Sequence, residues 1–140
     1  MVEKLFPDET IIKTKYFRLE QDWEIPIPGF LIIASLGGVK SVTDFTEEES
    51  QEFIKLVVKA RKGMKEVLGI NDVYLYQNEA TEHSFHLWMF PRHKWMGKIG
   101  TGIESVRPIM NYSKENMVNE ETIKKVKEDV EKMREYMKDF

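Results

Sequence analysis

The run His83-Ser84-Phe85-His86-Leu87-Trp88-Met89-Phe90-Pro91-Arg92 holds the residues whose types and spacing could do chemistry. Polar or aromatic residues alternate with apolar ones. In a strand, that period of two puts Ser84, His86 and Trp88 on one face and Phe85, Leu87 and Met89 on the other. The second face can pack on a core, and the first then presents a single imidazole. Neutral imidazole has an unperturbed pKa of about 6.5, so near neutral pH one ring nitrogen is free to act as a nucleophile. A metal reading would need His83, His86 and His93 together. Positions 83 and 86 fall on opposite faces of a strand, no Asp lies close by, and Glu82 supplies one ligand at most, so no metal and no cofactor is expected.

The elements that must position this strand read as follows. Ile11 to Leu19 reads as a strand. Trp23 to Gly29 is an extended turn, because its two prolines remove donors and disfavour helix before them. Phe30 to Ala34 is an apolar, β-branched run that reads as a buried strand. Thr46 and Glu49 form a capping-box start, with acids filling the first turn. Phe53, Val57, Ala60, Met64 and Val67 then make one apolar stripe of a long helix that stops near Gly69. Asp72 to Tyr76 and Glu82 to Phe90 are two strands, expected to pair as a hairpin across a short loop. Gly97 to Gly102 is a glycine-rich loop that matches no phosphate-loop pattern. The 103–117 segment reads as helical despite Pro108. Asn119 caps a last helix with Ile123, Val126, Val130, Met133 and Met137 on its apolar face, and Glu128 and Lys132 spaced to pair.

Composition narrows the classes. The chain has 140 residues, 41% hydrophobic and 32% charged, which suits one globular domain with a real core. A net charge of -3 gives no basic footprint for nucleic acid. The absence of cysteine excludes disulfides and thiolate metal sites. No apolar run approaches the roughly 20 residues of a membrane span, and the first residues carry no apolar leader core. The expectation is a cytoplasmic protein with no membrane partner.

With Pro-Arg closing it, the 83–92 run resembles the signature strand of the histidine triad superfamily, in which three histidines alternate with apolar residues before that dipeptide. The resemblance spans about residues 10 to 95 and is nearest to diadenosine tetraphosphate hydrolase-like proteins. It implies an α+β, HIT-like fold over 1–140: an antiparallel sheet of about five strands, a long helix across it, and a C-terminal helical extension over about 103–140. It also implies a homodimer. The three histidine slots hold Ser84, His86 and Trp88, so the middle residue, the family's nucleophile, is kept. The activity implied is cleavage of a nucleoside polyphosphate or phosphoramidate through a nucleotidyl-histidine intermediate.

In that family the backbone carbonyl of the first-slot residue orients the nucleophile's other ring nitrogen, a role that Ser84 can keep. The third histidine assists the leaving group. Trp88 has one N–H and no titratable proton in this range, so it cannot act as a general acid. The alternative reading is therefore a nucleotide-binding protein with little or no catalysis. His93, after Pro-Arg, is a candidate to fold back and replace the missing acid. The resemblance further assigns Thr81 to the phosphate, Asn78 to the sugar-phosphate, and Gln21 or Asp22 to the ribose hydroxyls, with Asp22 favoured as the carboxylate and Leu19 and Trp23 flanking the base. Turn chemistry is the competing reading of Asn78 and Thr81. Lys40 is a candidate charge near the polyphosphate, and Lys94 and Trp95 candidates for a flap. Ser84, His86, Trp88 and Asp22 are expected to line one pocket.

Overall fold

The structure, a computed structural model, describes residues 4–140. It is built from β1 (Thr10–Lys13), β2 (Phe17–Gln21), β3 (Leu31–Ser35), α1 (Glu47–Glu66), β4 (Val73–Gln77), β5 (His86–Pro91), α2 (Val106–Asn116) and α3 (Glu120–Met137). The five strands form one sheet in the order β1-β2-β3-β5-β4, antiparallel throughout.

The single strand expected over Ile11 to Leu19 is a hairpin instead. Thr14 turns the chain: its N–H donates to the Phe17 carbonyl at 2.8 Å, and its hydroxyl accepts from the Phe17 N–H at 3.0 Å. Glu52 of α1 holds the same turn, accepting from the Tyr16 N–H and the Thr14 hydroxyl, both at 2.8 Å. A threonine able to serve its own turn outweighs the β-propensity of the run.

Helix α1 starts where its cap predicts. Thr46 accepts from the Glu49 N–H at 3.1 Å, and Glu49 accepts from the Thr46 N–H at 3.0 Å. Its buried face is Leu56, Val57, Ala60, Gly63 and Met64, with Phe53 and Val67 half-buried at its margins. Gly69, at φ +70°, ends the segment. In α3, Asn119 caps through the Thr122 N–H at 2.9 Å, and Val126, Val130, Met133 and Met137 are buried. Glu128 faces Lys124 at 3.9 Å rather than the expected Lys132. Pro108 is the third residue of α2, inside the first turn, where a missing N–H leaves no helical bond unmade.

These helices divide the apolar side chains between the two faces of the sheet. On one face α1 and α3 cover Phe17, Leu19, Leu31, Ile33 and Met89. On the other, α2 and the turn at 94–98 cover Phe30 and Phe90 together with Ile25 and Ile27. Tyr74, Tyr76 and Trp88 pack half-buried against that second layer. Ala34, Ile32 and His86 share the face by strand alternation and register, with Ala34 and Ile32 buried.

Candidate functional site

His86 opens β5, and its neighbours follow from register. Residues directly opposite across antiparallel strands share a face. Arg18 pairs with Ala34, and Ala34 with His86. Glu20 pairs with Ile32, Ile32 with Trp88, and Trp88 with Tyr76. This face therefore carries a row of Arg18, Ala34 and His86 beside a row of Glu20, Ile32, Trp88 and Tyr76. The segregation expected within the signature strand holds: Phe85 and Met89 are buried, and His86 and Trp88 are half-buried. Phe85 packs in a cluster of edge-on rings with Phe45 and Phe53 against α1, which anchors the strand's entry.

The His86 ring is anchored by the backbone just before its strand. Its Nδ1 lies 2.5 Å from the Ser84 carbonyl oxygen. A carbonyl only accepts, so Nδ1 carries a proton, and Nε2 is the ring nitrogen free of that contact. Trp88 stacks beside it, with ring centroids 5.8 Å apart at 28°. Tyr76 backs the indole at 5.4 Å and 8°. The position two residues after His86 is thus filled by an indole stacked on a tyrosine. Burial, then the nearby Asp22 carboxylate, pushes the Tyr76 hydroxyl well above its ordinary range.

The cavity at His86 is not lined by all four of the residues expected to share a pocket. A cavity of about 250 Å³ opens at His86, lined by Arg18, Glu20, Gln21, Trp23 and the N-terminal segment from Lys4 to Thr10. Ser84, Trp88 and Asp22 do not line it. Asp22 is in phase with Arg18 and Glu20, but its Oδ1 turns back to accept the N–H groups of Glu24 and Ile25 at 2.9 and 2.8 Å. It is buried, and that burial raises its pKa against the two hydrogen bonds. Trp88 stacks between His86 and Tyr76 and does not line this cavity.

The strand is also shorter at its start than the 82–90 expectation, because residues 78–84 form turns. Asn78 accepts from the Ala80 N–H at 2.9 Å, and Thr81 from the His83 N–H at 2.8 Å. The Thr81 carbonyl accepts from Lys40 at 2.6 Å. Freed from strand geometry, His83 brings its ring to 6.1 Å from that of His86, so the two are not on opposite faces of one strand. Among the described residues no group of three or more His, Cys, Asp or Glu side chains is placed to hold a metal ion.

His93 does not fold back. It lies past the far end of β5, its Nε2 2.7 Å from the Pro28 carbonyl oxygen, and burial lowers its pKa. At ~3.3 Å per residue, the length of β5 alone separates it from His86 by more than ~15 Å. Trp95 packs on Tyr112 of α2 at 5.6 Å, within the second layer rather than as a free flap. Arg18 and Glu20 carry no motif in the sequence. Their signal is their phase with Asp22 on alternate positions, informative only once β2 lies two strands from His86.

No protein-family model matches the sequence, and no curated protein matches it. Solved structures do resemble it. A Hit-like protein involved in cell-cycle regulation from Bartonella henselae superposes with a TM-score of 0.60 over 91% of this chain and 85% of its own, at 17% identity. A hypothetical histidine triad nucleotide-binding protein from Sulfolobus tokodaii gives 0.56 over 94% and 89%, at 13% identity. Diadenosine triphosphate hydrolase from Plasmodium falciparum gives 0.53 over 78% and 76%, at 20% identity. The fold is that of the histidine triad proteins, an antiparallel five-stranded sheet with helices. No helix among the described residues is long and apolar enough to cross a membrane.

Proposed function

We propose that this chain is a nucleotide-binding hydrolase or transferase of the histidine triad type, with His86 as its nucleophile. The observation that carries the reading is the 2.5 Å contact of His86 Nδ1 with the Ser84 carbonyl oxygen, beside a cavity that admits a ligand. With a proton held on Nδ1 against the protein, this contact supports Nε2 as the nitrogen that attacks phosphorus.

Nε2 attacks the α-phosphorus of a nucleoside polyphosphate or phosphoramidate, forming an N–P bond. The P–O or P–N bond to the leaving group breaks, and the leaving group departs with that electron pair. The Nδ1 proton stays on the ring, where the Ser84 carbonyl stabilises the charged nucleotidyl-imidazole. Water then attacks the same phosphorus and loses a proton to solvent, and the N–P electron pair returns to Nε2. Each displacement is easier than a direct one. Asp22 takes the ribose through Oδ2 while Oδ1 keeps its turn. Thr81, Asn78 and the Ser84 backbone surround the phosphates, and Trp88 walls the leaving-group side. We place the protein in the cytoplasm and read it as a homodimer, the dimer alone being supported by Leu75, exposed on the edge strand β4.

Trp88 favours a second reading, nucleotide binding with little or no turnover, because a stacked indole supplies no acid. Titration of a nucleotide panel, including diadenosine tetraphosphate, into the protein and His86→Ala, with turnover measured in parallel, separates the two. Turnover abolished by His86→Ala supports the first. Binding with no turnover by either protein supports the second. Turnover unchanged in His86→Ala contradicts His86 as nucleophile.

A further inference from the structure

Arg18 lines the same cavity as His86, two strands away, with only the small side chain of Ala34 between them. At ~4.8 Å per strand the two backbones stand about 10 Å apart, within reach of an extended arginine for a group held between them. The guanidinium sits beside a carboxylate. Its Nε lies 2.7 Å from Glu20 Oε2 as an ion pair, without the alignment of a hydrogen bond. Arginine has five N–H donors in a planar fork, and among the described residues none of them makes a hydrogen bond. The other acid in the cavity, Glu9, is 3.5 Å from Arg134. Lys4 adds a second cation, its ammonium 4.9 Å over the Trp23 ring.

We propose that Arg18 clamps the phosphate under attack by His86, with Glu20 as the residue that aims it. This rests on the nucleotidyl-transfer reading above and adds a side chain to it. The clamp neutralises negative charge on the non-bridging oxygens and on the departing phosphate as the P–O bond breaks. No proton moves through it. It takes over the charge stabilisation, though not the proton donation, that an indole at position 88 cannot supply. The preferred substrates are consequently those with an anionic phosphate leaving group, rather than an amine or alcohol that must leave protonated.

The test uses inorganic pyrophosphate titrated by calorimetry into the unmodified chain, Arg18→Met, Arg18→Lys and the double variant Arg18→Met/Glu20→Gln. Each is first checked for an unchanged melting temperature. Arg18→Met is expected to weaken pyrophosphate about 10–100-fold, the range of a lost charge-assisted pair, and Arg18→Lys to recover part of it. The double variant is expected to stay weak. Affinity of Arg18→Met within twofold of the unmodified chain, or affinity restored in the double variant, would overturn the proposal, since the second outcome would trace the loss to a bared Glu20. No pyrophosphate binding by the unmodified chain would overturn it as well. If Arg18 proves necessary for pyrophosphate while no nucleotide becomes attached to His86, the anion clamp stands and the nucleotidyl-transfer reading fails.

Discussion

Replacing Trp88 by histidine puts a titratable donor where the indole now sits. In the structure the indole lies between the His86 ring at 5.8 Å and the Tyr76 ring at 5.4 Å. An imidazole there keeps one aromatic face and adds an N–H able to protonate a leaving group. Two costs and one gain can be weighed. The lost stack on Tyr76 amounts to about 0.5–1.5 kcal/mol, and the smaller half-buried ring loses roughly another 1 kcal/mol of packing. For a chain of this size about 2 kcal/mol corresponds to a fall in Tm of roughly 6–8 °C, well short of unfolding at room temperature. The gain is general acid catalysis, about 10²–10⁴-fold when fully effective. The assay compares turnover of a nucleoside phosphoramidate, whose amine must leave protonated, with that of a diadenosine polyphosphate. Trp88→His is expected to accelerate the phosphoramidate by at least tenfold and the polyphosphate by much less. Trp88→Phe, which removes the indole without adding a donor, is expected to accelerate neither. Equal behaviour of the His and Phe variants on both substrates would refute the reasoning that position 88 limits proton donation.

Other consequences follow from the packing and the buried charge. Gly63→Ala is expected to destabilise by about 1 kcal/mol in urea unfolding. An added Cβ would meet the Tyr136 ring at 2.7 Å, and that overpacking exceeds the helix-propensity gain of about 1 kcal/mol. An increase in stability would show that α3 yields at that crossing. Thr46→Ala removes the capping hydroxyl of α1 and is expected to cost about 1 kcal/mol, with Thr46→Asn nearly neutral. Asp22→Asn keeps an oxygen for the Glu24 and Ile25 N–H groups but removes a desolvated charge. Because burial raises the folded-state pKa, Asp22 contributes most stability below the unfolded carboxyl value of about 3.9 and loses it as pH rises through the folded value. Asp22→Asn should therefore melt higher than the unmodified chain at pH 7, with the difference vanishing near pH 4, while nucleoside affinity falls. A Tm difference independent of pH would contradict the assignment of the effect to that charge.

The parts of the fold legible in the sequence are those specified locally. The α1 cap is complete within four residues, and the α3 stripe within its own periodicity. The alternation of β5 already separated Phe85 and Met89 from His86 and Trp88. Features set by distant contacts were not legible. The Thr14 turn is stabilised by Glu52 of α1, which breaks an apparent strand into a hairpin. Arg18 gains meaning only through register with Ala34 and His86. His93 is drawn to the Pro28 carbonyl across a turn that no spacing rule reveals. Asp22, Asn78 and Thr81, which the sequence suggests as ligand contacts, each serve a local turn in the structure. The short polar side chains suited to phosphates and sugars are the same ones that satisfy exposed backbone N–H groups.

The central claim is that the free nitrogen of His86 becomes covalently nucleotidylated. Peptide mass spectrometry on protein quenched within a single turnover of a diadenosine polyphosphate tests it most directly. The account predicts a nucleoside monophosphate attached to the peptide carrying His86, absent from His86→Ala and lost on acid treatment. Turnover with no adduct at any time, or an adduct that persists in His86→Ala, would contradict it.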